Sequence, residues 1–151
     1  MMHRAIAWLR ANAPRAPRLS IIHGDYRLGN FLECDGRITS ILDWELVHVG
    51  DPHEDLAWLC LPQYRQGSPL MSKLIERDEL YARYTAQTGI PIESASMHYY
   101  TLFSFFKLAA THMAGVYAFQ RPGCRDLRMA AIGTQIAPTL RQIEKLMQES
   151  P

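Results

Sequence analysis

The sequence of 151 residues predicts an α+β domain that is mainly α, in which a short β-hairpin precedes a helical body. Three observations lead to this fold class. Brief apolar runs at residues 19–22, 31–34 and 38–42 have the length of strands and are separated by turn-forming residues. Beyond them, apolar residues recur at helical spacing, and cap signals mark the helix ends. We therefore place the strands within residues 19–45 and the helical body within residues 51–151.

The first part of the chain begins with a predicted helix over residues 2–12, which ends at Pro14 and Pro17 because proline cannot continue a helix. A strand follows this stiff connector. Asp35 and Gly36 then join two strands into a hairpin, since both residue types tolerate the positive φ that a two-residue turn requires. Chemistry is expected in this polar, strand-rich part rather than in the helical body.

The helical body is predicted to start at Asp51, which can cap free backbone N–H groups. Pro52 suits the first helical position, Glu54 completes a capping box, and Pro62 stops the helix. Later helices are predicted at residues 77–88 with Gly89 as the C-terminal cap, at residues 94–119, and from Leu127 onward with a kink at Pro138.

The composition argues against several classes of partner. Apolar residues make up 48% and charged residues 21% of the chain, and the formal net charge is +1. Because there is no basic surplus, we predict no nucleic-acid partner, and because no apolar run reaches about 20 residues, we predict no membrane partner. The three scattered cysteines, Cys34, Cys60 and Cys124, lack metal-binding spacing and suit a reducing compartment, which predicts a cytoplasmic location.

Three polar residues of the strand-rich segment are spaced for phosphoryl-transfer chemistry. Asp25 and Asn30 lie on the loop after the first strand, and Asp43 ends the hairpin. Because a hairpin brings its two ends together, Asn30 and Asp43 are expected to be neighbours, and their oxygens suit Mg²⁺. Asn30 follows Asp25 by five positions, the spacing of a kinase catalytic loop, so Asp25 is placed to orient a hydroxyl and accept its proton.

The stretch HGDYRLGNFLECDGRITSILDWELVHVGDPHEDLAWL resembles the catalytic core of the aminoglycoside phosphotransferase and choline kinase-like superfamily, which has the protein-kinase-like fold. Within it, the sequence is similar to the DWE-type branch, including the kinase-like domains fused to acyl-CoA dehydrogenases. The motifs HGDxxxxN and LDWE carry the resemblance, which covers about residues 21–59. It implies the C-terminal lobe of such a kinase, with a hairpin beside the catalytic loop and a helical body after it.

The resemblance also implies roles for residues of the catalytic loop. Asp25 would be the catalytic base that positions the acceptor hydroxyl. His23 would support the conformation of the loop. Arg27 stands two residues after Asp25, where protein kinases have a lysine that contacts phosphate, and the same role is implied for it.

A second group of implied roles concerns the metal and the support of the loop. Asn30 and Asp43 would hold Mg²⁺, with ATP or GTP as the co-substrate. Asp55 would be the structural aspartate that accepts hydrogen bonds from the catalytic-loop backbone. Glu45, in the DWE motif, is a further candidate for contact with metal or substrate, beside the alternative of an ordinary surface carboxylate.

The sequence shows no sign of the nucleotide-clamping N-terminal lobe. It has no lysine before Asp25 and no glycine before Gly24, whereas that lobe carries a phosphate-covering glycine loop and a strand lysine. We therefore expect this chain to be weakly active or inactive by itself and to act with a separate N-lobe or a second copy. The expected reaction is transfer of the γ-phosphoryl group of ATP or GTP to a hydroxyl of a small molecule.

Two alternatives to this function stay open. The chain could be a non-catalytic binding or dimerisation module that keeps the shape of a kinase C-lobe. It could also be a metal-dependent hydrolase that uses Asp25, Asp43 and a histidine, although the histidines are poorly spaced for this. The acceptor is not identified by the motifs, and the lack of an acidic cluster in the helical body argues against a polycationic aminoglycoside.

Overall fold

The computed structural model describes residues 1–123 and 126–149, so Cys124 lies outside the described residues. The chain divides into two compact units. One unit comprises residues 14–101, and the other combines residues 1–13 with the chain from Leu102 onward.

The unit of residues 14–101 contains two small antiparallel sheets. Strand β2 (Phe31–Cys34) pairs with β3 (Arg37–Ile41), and this is the predicted hairpin, with a bulge next to Leu32. Its turn residues Asp35 and Gly36 have φ angles of 52° and 74°, as the prediction required. Strand β1 (Ser20–Ile22) pairs with β4 (His48–Gly50), a three-residue strand that we did not predict.

Two helices and the start of a third complete this unit: α2 (His53–Leu59), α3 (Arg77–Thr88) and the first residues of α4 (Ser94–Phe119). Helix α2 begins two residues after Asp51, whose Oδ1 accepts a hydrogen bond from the His53 N–H at 2.9 Å. The core of the unit joins α2 to α4, and its members are Leu56, Ala57 and Met97, with Leu80, Tyr81, Tyr84, Ile92 and Tyr100 packed around them.

The other unit is helical. It comprises α1 (Met2–Ala11), the remainder of α4, α5 (Leu127–Ala131) and α6 (Ile136–Gln148). Helices α1 and α6 contact each other, and their buried apolar residues include Leu9 and Ile143. The predicted kink at Pro138 is wrong. The helical path changes earlier, in a 3₁₀ turn at Ile132–Gln135, and Pro138 lies in the first turn of α6, where its missing N–H removes no helical hydrogen bond.

Helix α4 is the one helix in the described ranges that is long and apolar enough to cross a membrane, with a mean hydropathy of 1.2 over an 18-residue window. This is weak evidence, because the core helix of a globular protein passes the same test. Leu102, Phe105 and Leu108 of this helix are buried in the protein. The absence of a membrane partner therefore stays a prediction from the sequence.

Candidate active site

The 23–30 loop follows β1 directly, and a carboxylate from α2 holds its backbone. The N–H groups of His23 and Gly24 donate to Asp55, to Oδ2 at 2.7 Å and to Oδ1 at 3.0 Å. Burial raises the pKa of Asp55, and these two N–H donors oppose that shift. The carboxylate thus satisfies two backbone donors of the turn. Asp55 makes the backbone contacts that were expected of it.

Gly24 has a conformation that residues with a side chain adopt only at a cost in free energy. Its φ is +83°, in the left-handed region. A Cβ at this position would lie 2.8 Å from both the Cβ and the carbonyl oxygen of Leu46. Glycine is therefore required on two independent grounds, and its small size lets the chain after Asp43 pass close to the loop.

His23 connects the loop to the end of the hairpin. Its Nδ1 accepts a hydrogen bond from the Asp25 N–H at 3.1 Å, and its Nε2 lies 2.8 Å from the Leu42 carbonyl oxygen. Because the Asp25 N–H can only donate and the carbonyl can only accept, these contacts assign the neutral tautomer with the proton on Nε2. The ring is 2% exposed and packs against Trp44, with a centroid separation of 4.6 Å.

Leu42 joins the positions of Asn30 and Asp43. Its N–H donates to the Asn30 carbonyl oxygen at 2.8 Å, and its own carbonyl accepts from His23. Asp43 comes next in the chain, with φ of 67° and ψ of 57°, and its side chain is exposed. The structure thus brings the chain at Asp43 beside Asn30, as the hairpin argument predicted.

The Asp25 carboxylate is surrounded by donors. Arg27 Nε lies 3.0 Å from both carboxylate oxygens, Asn30 Nδ2 donates to Oδ2 at 2.8 Å, and Trp58 Nε1 donates to Oδ1 at 2.8 Å. Tyr64 closes this cluster, and burial together with the negative charge of Asp25 raises its pKa. The carboxylate side chain is 17% exposed, so solvent still reaches it.

Arg27 faces Asp25 in this structure. Its guanidinium also lies over the ring of Tyr64, with its carbon 5.7 Å from the ring centroid. Its side chain is 34% exposed. The contact with phosphate that the resemblance implies for Arg27 stays a prediction.

Our sequence reasoning did not predict Trp58 or Tyr64 as members of the site. The signal for Trp58 was present in the sequence, because residues three apart on a helix share a face and Trp58 follows Asp55 by three. Tyr64 lies in a 3₁₀ turn, Pro62–Tyr64, after α2, and no local pattern connects it to the loop.

Other polar residues lie outside this cluster. Glu45 is exposed on the 3₁₀ turn Trp44–Leu46, directly after Asp43. His53 is buried, with Nδ1 2.8 Å from Asp51 Oδ1 and Nε2 3.0 Å from the Pro91 carbonyl oxygen. Asp51 therefore caps α2 and pairs with a histidine, in agreement with the prediction that it is a structural residue.

Asn30 and Asp43 are the two residues that the sequence predicted as metal ligands. Among the described residues, no group of three or more His, Cys, Asp or Glu side chains is arranged to hold a metal. The Nδ2 of Asn30 donates to both the carbonyl and the carboxylate of Asp25, so its Oδ1 is the atom left for a metal. An amide oxygen and an exposed carboxylate suit Mg²⁺, which takes one or two protein ligands and completes its shell with phosphates and water.

Comparisons with known proteins show the family to which this chain belongs and the proteins that it resembles. A sequence model of the phosphotransferase enzyme family, APH, matches residues 1–98. The chain is 36% identical over 129 residues to acyl-CoA dehydrogenase family member 10 of Mus musculus, and 32% identical over 132 residues to family member 11 of Rattus norvegicus. These alignments cover 77% and 78% of this chain but only 12% and 17% of those proteins.

A solved structure shares the fold. A crystal structure from Ralstonia eutropha, assigned to the aminoglycoside phosphotransferases, superposes with a TM-score of 0.80 at 23% identity. The superposition covers 97% of this chain and 48% of that one. At this level of identity the likeness concerns the fold alone.

Proposed function

Because this chain belongs to the phosphotransferase enzyme family, we propose that it transfers the γ-phosphoryl group of ATP or GTP to a hydroxyl of a small molecule. The observation that carries the proposal is the position of the Asp25 carboxylate, which solvent can reach. It lies on a loop whose backbone N–H groups are hydrogen-bonded to Asp55. Phosphoryl transfer demands little covalent chemistry from a protein and depends on positioning and charge. A fixed carboxylate in contact with Asn30, one of the two proposed metal ligands, would meet that demand.

Asp25 acts as the base in this proposal. Its carboxylate accepts a hydrogen bond from the acceptor hydroxyl and aims the oxygen at the γ-phosphorus. As the new O–P bond forms, the carboxylate takes up the hydroxyl proton, the bond from the γ-phosphorus to the bridging oxygen breaks, and the nucleoside diphosphate leaves with that oxygen. His23 has both ring nitrogens engaged as a neutral imidazole, which makes it a support for the loop rather than a proton carrier. Arg27 is positioned to move from the carboxylate to a phosphate oxygen, because its long side chain is partly exposed.

Mg²⁺ would be held by Asn30 Oδ1 and the Asp43 carboxylate. When bound, it would neutralise charge on the phosphate oxygens. Leu42 fixes the separation of these two residues through its backbone bonds to Asn30 and His23. Asp43 lies in the left-handed region, where a residue other than glycine carries strain of about 1–3 kcal/mol, and such strain is common at ligand-binding positions.

Titration calorimetry with Mg²⁺-ATP tests the proposal on the purified chain. We expect metal-dependent binding that Asp43→Ala weakens at least tenfold, because the variant loses a charged ligand. Asp78→Ala is the matched control, since the Asp78 side chain is 93% exposed on α3, away from the site. Equal affinity of the wild type and Asp43→Ala, or equal affinity with and without Mg²⁺, would contradict the proposed metal site. The same titration with GTP in place of ATP shows which of the two nucleotides the chain binds more tightly.

The partner of this chain is a separate proposal, supported by an apolar surface on the β1–β4 sheet. Leu19, Ile21 and Val49 are 70%, 72% and 69% exposed. Apolar side chains clustered at a surface mark interaction sites. We propose that a nucleotide-clamping lobe covers this surface and that turnover is low without it. A second copy of the chain is the alternative partner, and light scattering that gives twice the chain mass would favour it. A dimer that binds no Mg²⁺-ATP would be a non-catalytic dimerisation module.

A further inference from the structure

Trp58 makes a direct contact with the proposed base. Its indole N–H donates to Asp25 Oδ1 at 2.8 Å, although the two residues are 33 positions apart. A buried tryptophan usually finds a partner for its N–H. Here the acceptor is the side chain on which the proposed reaction depends, so the contact requires a functional explanation.

Helix α2 places Trp58 beside Asp55. The two residues are three positions apart and therefore share one face of the helix. Asp55 accepts from the backbone of His23 and Gly24, while Trp58 donates to the carboxylate of the next residue, Asp25. One face of α2 thus contacts the backbone of the loop through Asp55 and the side chain of Asp25 through Trp58.

The hydrogen bonds to Asp25 determine how its carboxylate is oriented. Rotation about the last torsion of an aspartate is soft, so the plane of the carboxylate needs external support. Trp58 holds Oδ1, Asn30 holds Oδ2, and Arg27 Nε is shared between the two oxygens. A carboxylate offers about four acceptor positions, and these contacts engage all of them, so an acceptor hydroxyl can bind only where Arg27 Nε now lies.

Trp58 itself cannot turn away. Its side chain is 4% exposed, and its ring packs against Tyr64 with a centroid separation of 5.6 Å. Arg27, by contrast, is 34% exposed on a flexible chain. The indole is thus the rigid donor of the cluster and the guanidinium the displaceable one.

We infer that Trp58 is a positioning residue that fixes the plane of the Asp25 carboxylate, so that the acceptor position freed when Arg27 moves away faces the substrate hydroxyl. The catalytic importance of this positioning rests on the proposed function, but the orientation of the carboxylate can be measured without turnover. Misplacement of a reacting group by about 1 Å can cost on the order of 100-fold in rate, so a donor that prevents rotation is a sensitive point.

The first test is spectroscopic and uses the whole chain labelled with ¹⁵N. The protein has three tryptophans, and the Trp58 indole signal is the one lost in Trp58→Phe. We expect Asp25→Asn, which keeps shape and removes charge, to shift the Trp58 indole signal and leave that of Trp8 in place. We also expect Trp58→Phe, but not the control Trp8→Phe, to shift the side-chain amide signals of Asn30. Unmoved Trp58 or Asn30 signals would overturn the inference.

The second test measures chemistry without an identified acceptor, through Mg²⁺-dependent hydrolysis of ATP by water. Trp58→Phe keeps the ring and removes the N–H, so we expect at least a tenfold loss in kcat with KM for ATP within twofold of the wild type. Equal kcat in Trp58→Phe and Trp8→Phe would overturn the inference. If the wild type by itself hydrolyses no ATP, as is expected of a chain that needs a separate nucleotide-clamping lobe, the spectroscopic test decides the positioning, and the calorimetric titration with Mg²⁺-ATP decides the proposed function separately.

Discussion

A methyl group added at Gly24 tests whether the loop and the chain after Asp43 are packed as closely as the structure indicates. The new Cβ of Gly24→Ala would lie 2.8 Å from the Cβ and the carbonyl oxygen of Leu46. Gly36→Ala is the matched control. Gly36 has a similar φ of +74°, and a Cβ there would meet nothing within 4 Å. The two variants share the backbone strain and differ in the collision.

The expected magnitudes follow from this difference. A left-handed alanine costs about 1–2 kcal/mol, and both variants incur this loss. The collision at position 24 involves backbone as well as Cβ, so neither group can move aside freely, and overpacking of this kind costs about 1–3 kcal/mol. Gly24→Ala should therefore lose about 2–5 kcal/mol in the free energy of unfolding, and Gly36→Ala about 1–2 kcal/mol.

Urea unfolding followed by circular dichroism is the assay. With a slope of about 2 kcal/mol per molar urea, the extra loss in Gly24→Ala should lower its midpoint by about 0.5–1.5 M below that of Gly36→Ala. Equal midpoints for the two variants would refute the reasoning, because they would mean that Leu46 is not held against the loop. An unchanged slope is required for this comparison to report stability alone.

Two further predictions concern charge. Asp55→Asn replaces one of the two acceptor oxygens by an NH₂ group that cannot accept from the N–H of His23 or Gly24, so we expect a loss of about 2–3 kcal/mol in the free energy of unfolding, measured with urea. The control Asp35→Asn, in the exposed turn, should change this free energy by no more than about 0.5 kcal/mol, and a similar loss in both variants would contradict the prediction. Burial lowers the pKa of His112 in the folded chain below its ordinary value of 6.5, so the unfolded chain binds a proton at this residue more readily. The free energy of unfolding therefore has its full value above pH 6.5 and decreases as the pH falls from 6.5 through the lower pKa of the folded chain. Between about pH 7.5 and 5.5, His112→Gln should lose less stability than the wild type, and equal losses would count against this pKa shift.

The fold class could be predicted from local patterns where those patterns are strong. The mainly helical α+β fold and the superfamily resemblance are confirmed, as are the turn at Asp35 and Gly36 and the end of α3 at Gly89, whose φ is +70°. Strand β4 was missed because three residues, His48–Gly50, carry no periodicity, and only pairing with β1 makes them a strand. The kink at Pro138 was wrong because a proline in the first turn of a helix does not interrupt it.

In the site, contacts between residues close in the sequence could be predicted from their spacing. Contacts between residues far apart in the sequence could not. The spacing of Asp25 and Asn30 predicted a side-chain pair that the structure shows in direct contact. Trp58 reaches Asp25 from 33 residues away, and Tyr64 joins it through a 3₁₀ turn, so both contacts depend on how α2 packs under the loop. The metal-binding and catalytic roles of these residues remain predictions.

The backbone of Leu42 has a consequence for how this chain can vary. Both of its peptide groups are engaged, by Asn30 on one side and His23 on the other, while its side chain is 44% exposed. Many side chains are therefore compatible with this position. Loss or gain of one residue between Asn30 and Asp43 would instead shift the register and detach two segments at once. At this point selection should act on the length of the hairpin more strongly than on the identity of the residue.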